Sequence, residues 1–148
     1  MRRSSPRSVV IASSDAPALY LDTSAFVKLV RIEPETPALR AYISATSSTL
    51  VSSRLLRTEV YRAASTWAPD RLPVAREQLA SVSLLSVDPF CEQAGLLPAA
   101  PSRRLASLDA IHLVTAMSLG SDLLALVAYD QQLLASARYQ GLPVASPR

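Results

Sequence analysis

Apolar and polar positions change period repeatedly along this chain. Ala18-Leu19-Tyr20-Leu21 is an apolar run of strand length that stops at Asp22. Ser24 then offers a cap for a helix through Val30. A second helix is predicted after Pro37, carrying Leu39, Tyr42 and Ile43, and Thr49-Leu50-Val51-Ser52 reads as a second strand. From Ser53 to Trp67 the period is helical: Leu56, Val60, Ala63, Ala64 and Trp67 form one stripe, which assigns Trp67 to the core. A helix over Val74 to Val82 leads into a third strand at Leu84-Leu85-Ser86-Val87. Asp88 opens a short helix that Pro98 and Pro101 end, and Ser107 caps a helix through Leu119 that Gly120 stops. Leu123 to Ala128 is a fourth strand, Asp130 starts a last helix to Gln140, and Leu142-Pro143-Val144 is a weak fifth strand.

Strands alternating with helices predict an α/β fold, with a parallel sheet of four to five strands covered on both faces. Function in such sheets gathers beyond the C-terminal strand ends. Residues 1–17, rich in Ser, Arg and Pro and without periodicity, read as a flexible leader, and 18–148 as one globular domain. No internal repeat and no second domain is evident.

Composition narrows the chemistry. Three glycines, Gly95, Gly120 and Gly141, stand too far apart for a GxGxxG or Walker A loop. One cysteine and one histidine exclude intramolecular disulfides and all-Cys/His zinc sites. The most apolar stretch, Ala110 to Tyr129, carries His112, Gly120 and Asp122, so no segment reads as membrane-spanning. The N-terminal apolar run is too short for a signal peptide, and the expected location is cytoplasmic. The net charge of +3, with 14 arginines and one lysine, leans only slightly toward an anionic partner.

What remains in quantity is carboxylate, seven Asp and five Glu. Asp22 and Asp130 fall just past the first and fourth strands. Glu59 borders the apolar stripe of the helix after strand two, and Asp109 sits in the first turn of the helix before strand four. Taken singly, a turn, an N-cap or a favourable helix dipole accounts for most of them. Glu59 is harder to dismiss, because an acid at the border of a buried stripe must be paired or hydrated. Together they are expected to converge at one end of the sheet. Clustered carboxylates repel and call for a cation, and oxygen-only ligands suit Mg²⁺ or Mn²⁺ rather than zinc. One or two such ions activate water and stabilise an in-line displacement at phosphorus.

Other residues have plainer readings. His112 shares a helix face with Asp109 and is expected to be a hydrogen-bonded core histidine rather than a ligand. Cys91 is expected to be a buried small apolar residue. Arg54, Arg57, Arg103 and Arg104 flank the acidic segments, and either track phosphates or lie on solvated helix ends. A haloacid-dehalogenase type of phosphatase would need a second Asp where Ser24 stands and a suitably placed Lys; Lys28 is too close to serve.

Four segments carry a family resemblance. "LYLDTSAFVKLV" at 19–30, "SSRLLRTEVYRAA" at 52–64, "RRLASLDAIHLVTAMSLG" at 103–120 and "LALVAYDQQLLASARYQGLPV" at 124–144 resemble the successive motifs of PIN-domain nucleases. "LDAIHL" after an Arg, with "YDxxL" downstream, is similar in particular to VapC-type toxins of bacterial VapBC toxin–antitoxin pairs. The resemblance covers about seven-eighths of the chain, from residue 18 to the end. It implies a three-layer α/β/α domain, a Mg²⁺- or Mn²⁺-dependent endoribonuclease that leaves 5′-phosphate and 3′-hydroxyl ends, a homodimer, and a VapB-type antitoxin as partner. By motif position Asp22, Glu59, Asp109 and Asp130 match the family's acidic site, with Asp22, Asp109 and Asp130 as metal ligands. Ser24 matches its small polar residue. The departures are a long leader and the proline-rich "LLPAAPS" before Asp109. Two alternatives stay open: a catalytically silent PIN-like scaffold that binds RNA or protein, and a DNA-directed metal-dependent nuclease. An inhibitor in trans is expected to lay an amphipathic helix or extended segment along an apolar groove between the early helices. It would offer the acidic pocket an arginine.

Overall fold

The apolar run at 18–21 forms the middle strand, β1 (Ala18–Leu21), buried along its whole length. The structure, a computed structural model, describes residues 16–98, 100–101 and 105–148. On one side of β1 lie β2 (Thr49–Ser53) and β3 (Ser83–Leu85); on the other lie β4 (Leu123–Val127) and β5 (Val144–Ala145). The order is β3-β2-β1-β4-β5, and every pairing is parallel. The chain therefore builds outward from β1 in one direction, then returns to its other side. That reversal puts a topological switch between β1 and β4, where doubly wound sheets open a crevice at the carboxyl ends of their strands.

Seven α-helices among the described residues cover the sheet. Alternation along β1 divides the core. Leu19 and Leu21, with Ala125 and Val127, face α1 (Thr23–Val30), α2 (Thr36–Thr46), α3 (Leu55–Trp67) and α4 (Leu72–Ala80). Tyr20, Val51 and Leu126 face α6 (Ser107–Met117) and α7 (Gln131–Tyr139). The short α5 (Cys91–Gly95) packs on α6 through Phe90, Ala94, Ala110 and Val114. The predicted three-layer α/β/α architecture is thus the one observed, with five strands among the described residues.

Several local expectations change. The cap of α1 is Asp22, not Ser24: its backbone is extended (φ −71°, ψ 160°) and its carboxylate accepts the Ser24 N–H. Ser107 lies inside α6, whose N-cap is Ala106. The third strand is Ser83–Leu85, ahead of the stretch predicted for it, and the fifth is shifted to Val144–Ala145. Trp67 is not core; it is 74% exposed. It closes the last turn of α3 beside Val27 and Val30, on the same side as its stripe, but among the described residues no element covers that end. Cys91 is exposed too, because α5 is a single turn that buries only Ala94. Residues 1–15 of the expected leader lie outside the described residues; the carbonyl of Pro17 already accepts the Thr49 N–H at 2.9 Å.

The only lysine anchors the C-terminal end of α1. Lys28 is buried, with Nζ donating to Glu33 at 2.5 Å and to Glu35 at 3.1 Å, and lies 4.7 Å from the centre of the Tyr129 ring. Burial opposes its charge, but the two carboxylates outweigh burial and hold its pKa above the ordinary value. The Tyr129 hydroxyl donates to the carbonyl of Pro147, so the same cluster pins the C-terminus. Lys28→Met keeps the stem and deletes the charge, leaving Glu33 and Glu35 partly hydrated. It is expected to lower stability by about 1–2 kcal/mol. Lys28→Ala, which also removes the packed stem, is expected to cost more. Urea unfolding at equal m-value checks both; an Ala variant as stable as the Met variant removes the packing component.

Candidate active site

Four acidic side chains approach the crevice from four elements. Asp22 follows β1 directly and is almost fully buried. Its position is doubly fixed, by the N–H of Ser24 at 3.1 Å and the Ser24 hydroxyl at 2.7 Å, both donating to Oδ2. Its own N–H donates to the carbonyl of Val127 at 3.0 Å, across the switch between β1 and β4. Ser24 Oγ in turn accepts the Tyr129 N–H at 2.9 Å, tying the turn after β1 to the turn after β4. Asp130, one residue further on, caps α7: Oδ1 accepts the N–H groups of Gln132 at 2.8 Å and Leu133 at 3.0 Å. Asp and Asn are strong N-cap residues because their side-chain oxygen satisfies such orphan donors. Both acids therefore serve helix starts as well as facing the crevice.

Glu59 comes from the second turn of α3 and is partly buried. Its Oε2 accepts the Nε2–H of His112 at 3.0 Å and the hydroxyl of Thr23. Burial acts to raise its pKa, but these two donors outweigh burial and hold the carboxyl below its usual value. Asp109, in the first turn of α6, behaves in the opposite way. It is pushed up to about 6, first by burial, then by the negative charges of Asp22 and Asp130, with a smaller push from Glu59. A carboxyl raised by three other carboxylates is within electrostatic reach of all of them. The crevice thus concentrates more negative charge than it neutralises. Among the described residues, no three His, Cys, Asp or Glu side chains are arranged as a ready-made cage for one metal ion.

The remaining polar groups beneath the acids are all engaged. His112 is fully buried on α6; its Nδ1 meets the Tyr20 hydroxyl at 2.7 Å, and its Nε2 lies 3.9 Å from Asp22 Oδ1. Burial disfavours its charged form, but the hydrogen bond to Glu59 and the charge of Asp22 outweigh burial and raise its pKa.

The PIN domain family model matches residues 19–138 of this sequence. Ribonuclease VapC46 of Mycobacterium tuberculosis is 43% identical over 132 residues, spanning 88% of this chain and 98% of that relative. Ribonuclease VapC35 of the same organism is 39% identical over 132 residues, spanning 87% of this chain and 96% of that relative. The chain is a PIN domain of the VapC family. Its fold is similar to the crystal structure of Mycobacterium tuberculosis VapC20, titled a sarcin-ricin loop cleaving toxin, with a TM-score of 0.66 over 80% of this chain and 94% of that one. The two sequences are 17% identical, so that likeness speaks for the fold alone.

Within this VapC-family domain, Arg54 and Arg57 lie exposed at the start of α3, on the rim of the layer that carries Glu59. Arg103 and Arg104 fall outside the described residues. Reading by periodicity missed Thr23 as a partner of Glu59, and Tyr20 and Ser53 as partners of His112. One signal was available: Tyr20 alternates between two leucines in a strand buried on both faces, where a phenol needs a partner.

Proposed function

We propose that this VapC-family chain is the toxin of a toxin–antitoxin pair, a divalent-metal-dependent endoribonuclease. Asp22, Glu59, Asp109 and Asp130 form its acidic site, and Ser24 holds Asp22 in place. The observation that supports this reading most is that carboxylates from three other elements lie within electrostatic reach of Asp109 at the switch between β1 and β4. A cluster that repels itself at neutral pH is suited to a cation. The donors are hard carboxylate oxygens, which suit Mg²⁺, with Mn²⁺ as the alternative, and such ions keep several waters where protein ligands are few. The residues present fit such an ion in charge and donor type, with Asp22, Asp109 and Asp130 as its ligands. When bound, the ion lowers the pKa of water and offsets the charge that develops on the phosphate. The chain's own residues orient the rest. Ser24 fixes the Asp22 carboxylate, the α7 N-terminus fixes Asp130, and Arg54 and Arg57 offer guanidinium groups to the RNA backbone beside α3.

The partner follows from the same reading. A VapB-type antitoxin would occupy the groove between α1 and α3, where Val27, Val30, Val60, Ala63 and the exposed Trp67 offer an apolar surface. A homodimer is also part of the proposal, checked by light scattering at tens of micromolar.

Purified protein is expected to cleave cellular RNA in Mg²⁺ or Mn²⁺, and to stop when EDTA is added. Co-expression with the product of a neighbouring short reading frame is expected to abolish cleavage. Cleavage that persists in EDTA through a second purification column overturns the metal site. Equal cleavage of single-stranded DNA favours the DNA-directed alternative. Absence of any cleavage with metal favours the silent scaffold.

A further inference from the structure

The floor of the crevice is a hydrogen-bonded chain that runs beneath the four acids and ends on one of them, Glu59. It begins at the end of β2, where Ser52 and Ser53 are fully buried. Ser52 Oγ donates to the carbonyl of Leu21 at 2.7 Å, which locks that strand end to β1. The Ser53 N–H donates to the Tyr20 hydroxyl oxygen at 3.1 Å. That oxygen has accepted one bond, so its own hydrogen is available to His112 Nδ1 at 2.7 Å. Ser53 Oγ stands 3.3 Å from the same nitrogen. With Nδ1 satisfied as an acceptor, the ring hydrogen of neutral His112 sits on Nε2; in the charged ring Nε2 carries one as well. In either form an N–H points at Glu59 Oε2, 3.0 Å away.

The last two members of this chain belong to different layers. His112 is on α6, which covers one face of the sheet, and Glu59 is on α3, which covers the other. They meet beyond the carboxyl ends of the strands. An imidazole and a phenol buried to this degree carry a desolvation cost that leucine and phenylalanine would not. Here both are fully satisfied, and the last donor of the series ends on an acid of the proposed site.

We propose that His112 is a positioning residue for Glu59: Tyr20 and Ser53 anchor its Nδ1, and its Nε2–H fixes the direction of the Glu59 carboxylate toward the other three acids. This rests on the ribonuclease reading for its kinetic consequence, but not for its geometry. Partners that orient active-site ligands from behind typically change activity by about 10- to 100-fold when removed.

The test uses the untagged full chain, in which His112 is the only histidine, so its ring signals need no assignment by mutation. Ring nitrogen NMR is expected to show hydrogen on Nε2, and Glu59→Gln is expected to shift that signal. His112→Leu is expected to lower kcat on RNA by about 10- to 100-fold with little change in KM. His112→Gln, whose amide nitrogen reaches the place of Nε2, is expected to recover most of the loss. Tyr20→Phe is expected to lower kcat by a smaller factor. A purely structural histidine would not separate Gln from Leu at equal melting temperature, and that result overturns the proposal, as does a ring signal blind to Glu59→Gln. Should the Leu variant fail to fold, the Gln and Phe variants and the ring spectrum decide. Should the wild-type chain not cleave RNA at all, the ribonuclease reading fails while the ring spectrum still decides the positioning.

Discussion

Asp22→Asn is expected to abolish RNA cleavage, by at least about 100-fold in kcat, while leaving the fold as stable as before to within about 0.5 kcal/mol. Two roles meet in this one side chain, and Asn separates them. As the N-cap of α1, Asp22 accepts from the N–H and the hydroxyl of Ser24. An amide oxygen accepts the same two bonds, and Asn ranks with Asp as a cap. What Asn cannot supply is the negative charge beside Asp109. Asp22→Ala serves as the control: it loses the cap as well, costs about 1 kcal/mol or more of stability, and leaves the Ser24 hydroxyl without its acceptor. Steady-state cleavage assays beside thermal melts check the pair. An Asn variant with full activity removes Asp22 from the site.

Much of this geometry is legible without coordinates, because it is local. The run at 18–21 has to end where Asp22 stands, and the apolar run at 123–127 has to end just before Asp130, so both acids fall past strand ends on the same edge of a parallel sheet. Glu59 is marked by its place at the border of a stripe. Periodicity, however, gives the direction a side chain faces, not what covers it there. Trp67 lines the same apolar groove as Val60, yet it is left 74% exposed while Val60 is buried. Cys91 fails for a related reason: one turn of helix is too short to have a reliable inner face. The partnership of Tyr20 with His112 spans 92 residues. It depends on which layer α6 joins and how far along the sheet it sits, and no window of sequence contains that. The sheet order is equally non-local. Alternating strands and helices imply parallel pairing, but the return of β4 to the free side of β1 is not contained in that alternation.

Asp109→Asn is expected to raise the stability of the metal-free protein at neutral pH while removing cleavage, the reverse of what loss of a structural residue does. The sign follows from which state holds the proton more tightly. The Asp109 carboxyl has a pKa of about 6 in the folded chain, above the ordinary 3.8, because burial and then the charges of Asp22 and Asp130 disfavour its ionised form. The folded state therefore binds this proton more tightly than the unfolded chain does. Below about pH 4 both states are protonated and the group carries no penalty. Between about pH 4 and 6 the unfolded chain releases the proton first, and stability falls; above about pH 6 the full penalty is in place. Each tenfold difference in proton affinity between the two states corresponds to about 1.4 kcal/mol, but Asp109 is only half-buried and solvent screens part of the repulsion. A gain of about 1 kcal/mol is the expectation for the neutral amide, or about 2–4 °C in Tm for a chain of this size. Melts in EDTA at pH 7 and pH 4 test it, with the gain present at the first and gone at the second. Added Mg²⁺ is expected to narrow the gap at pH 7, since the wild-type cluster then has a cation to offset its charge and the Asn variant has less need of one. An Asn variant no more stable than wild type at pH 7 without metal would mean that the carboxylates of this crevice do not repel one another, and the case for a cation there would lose its physical basis.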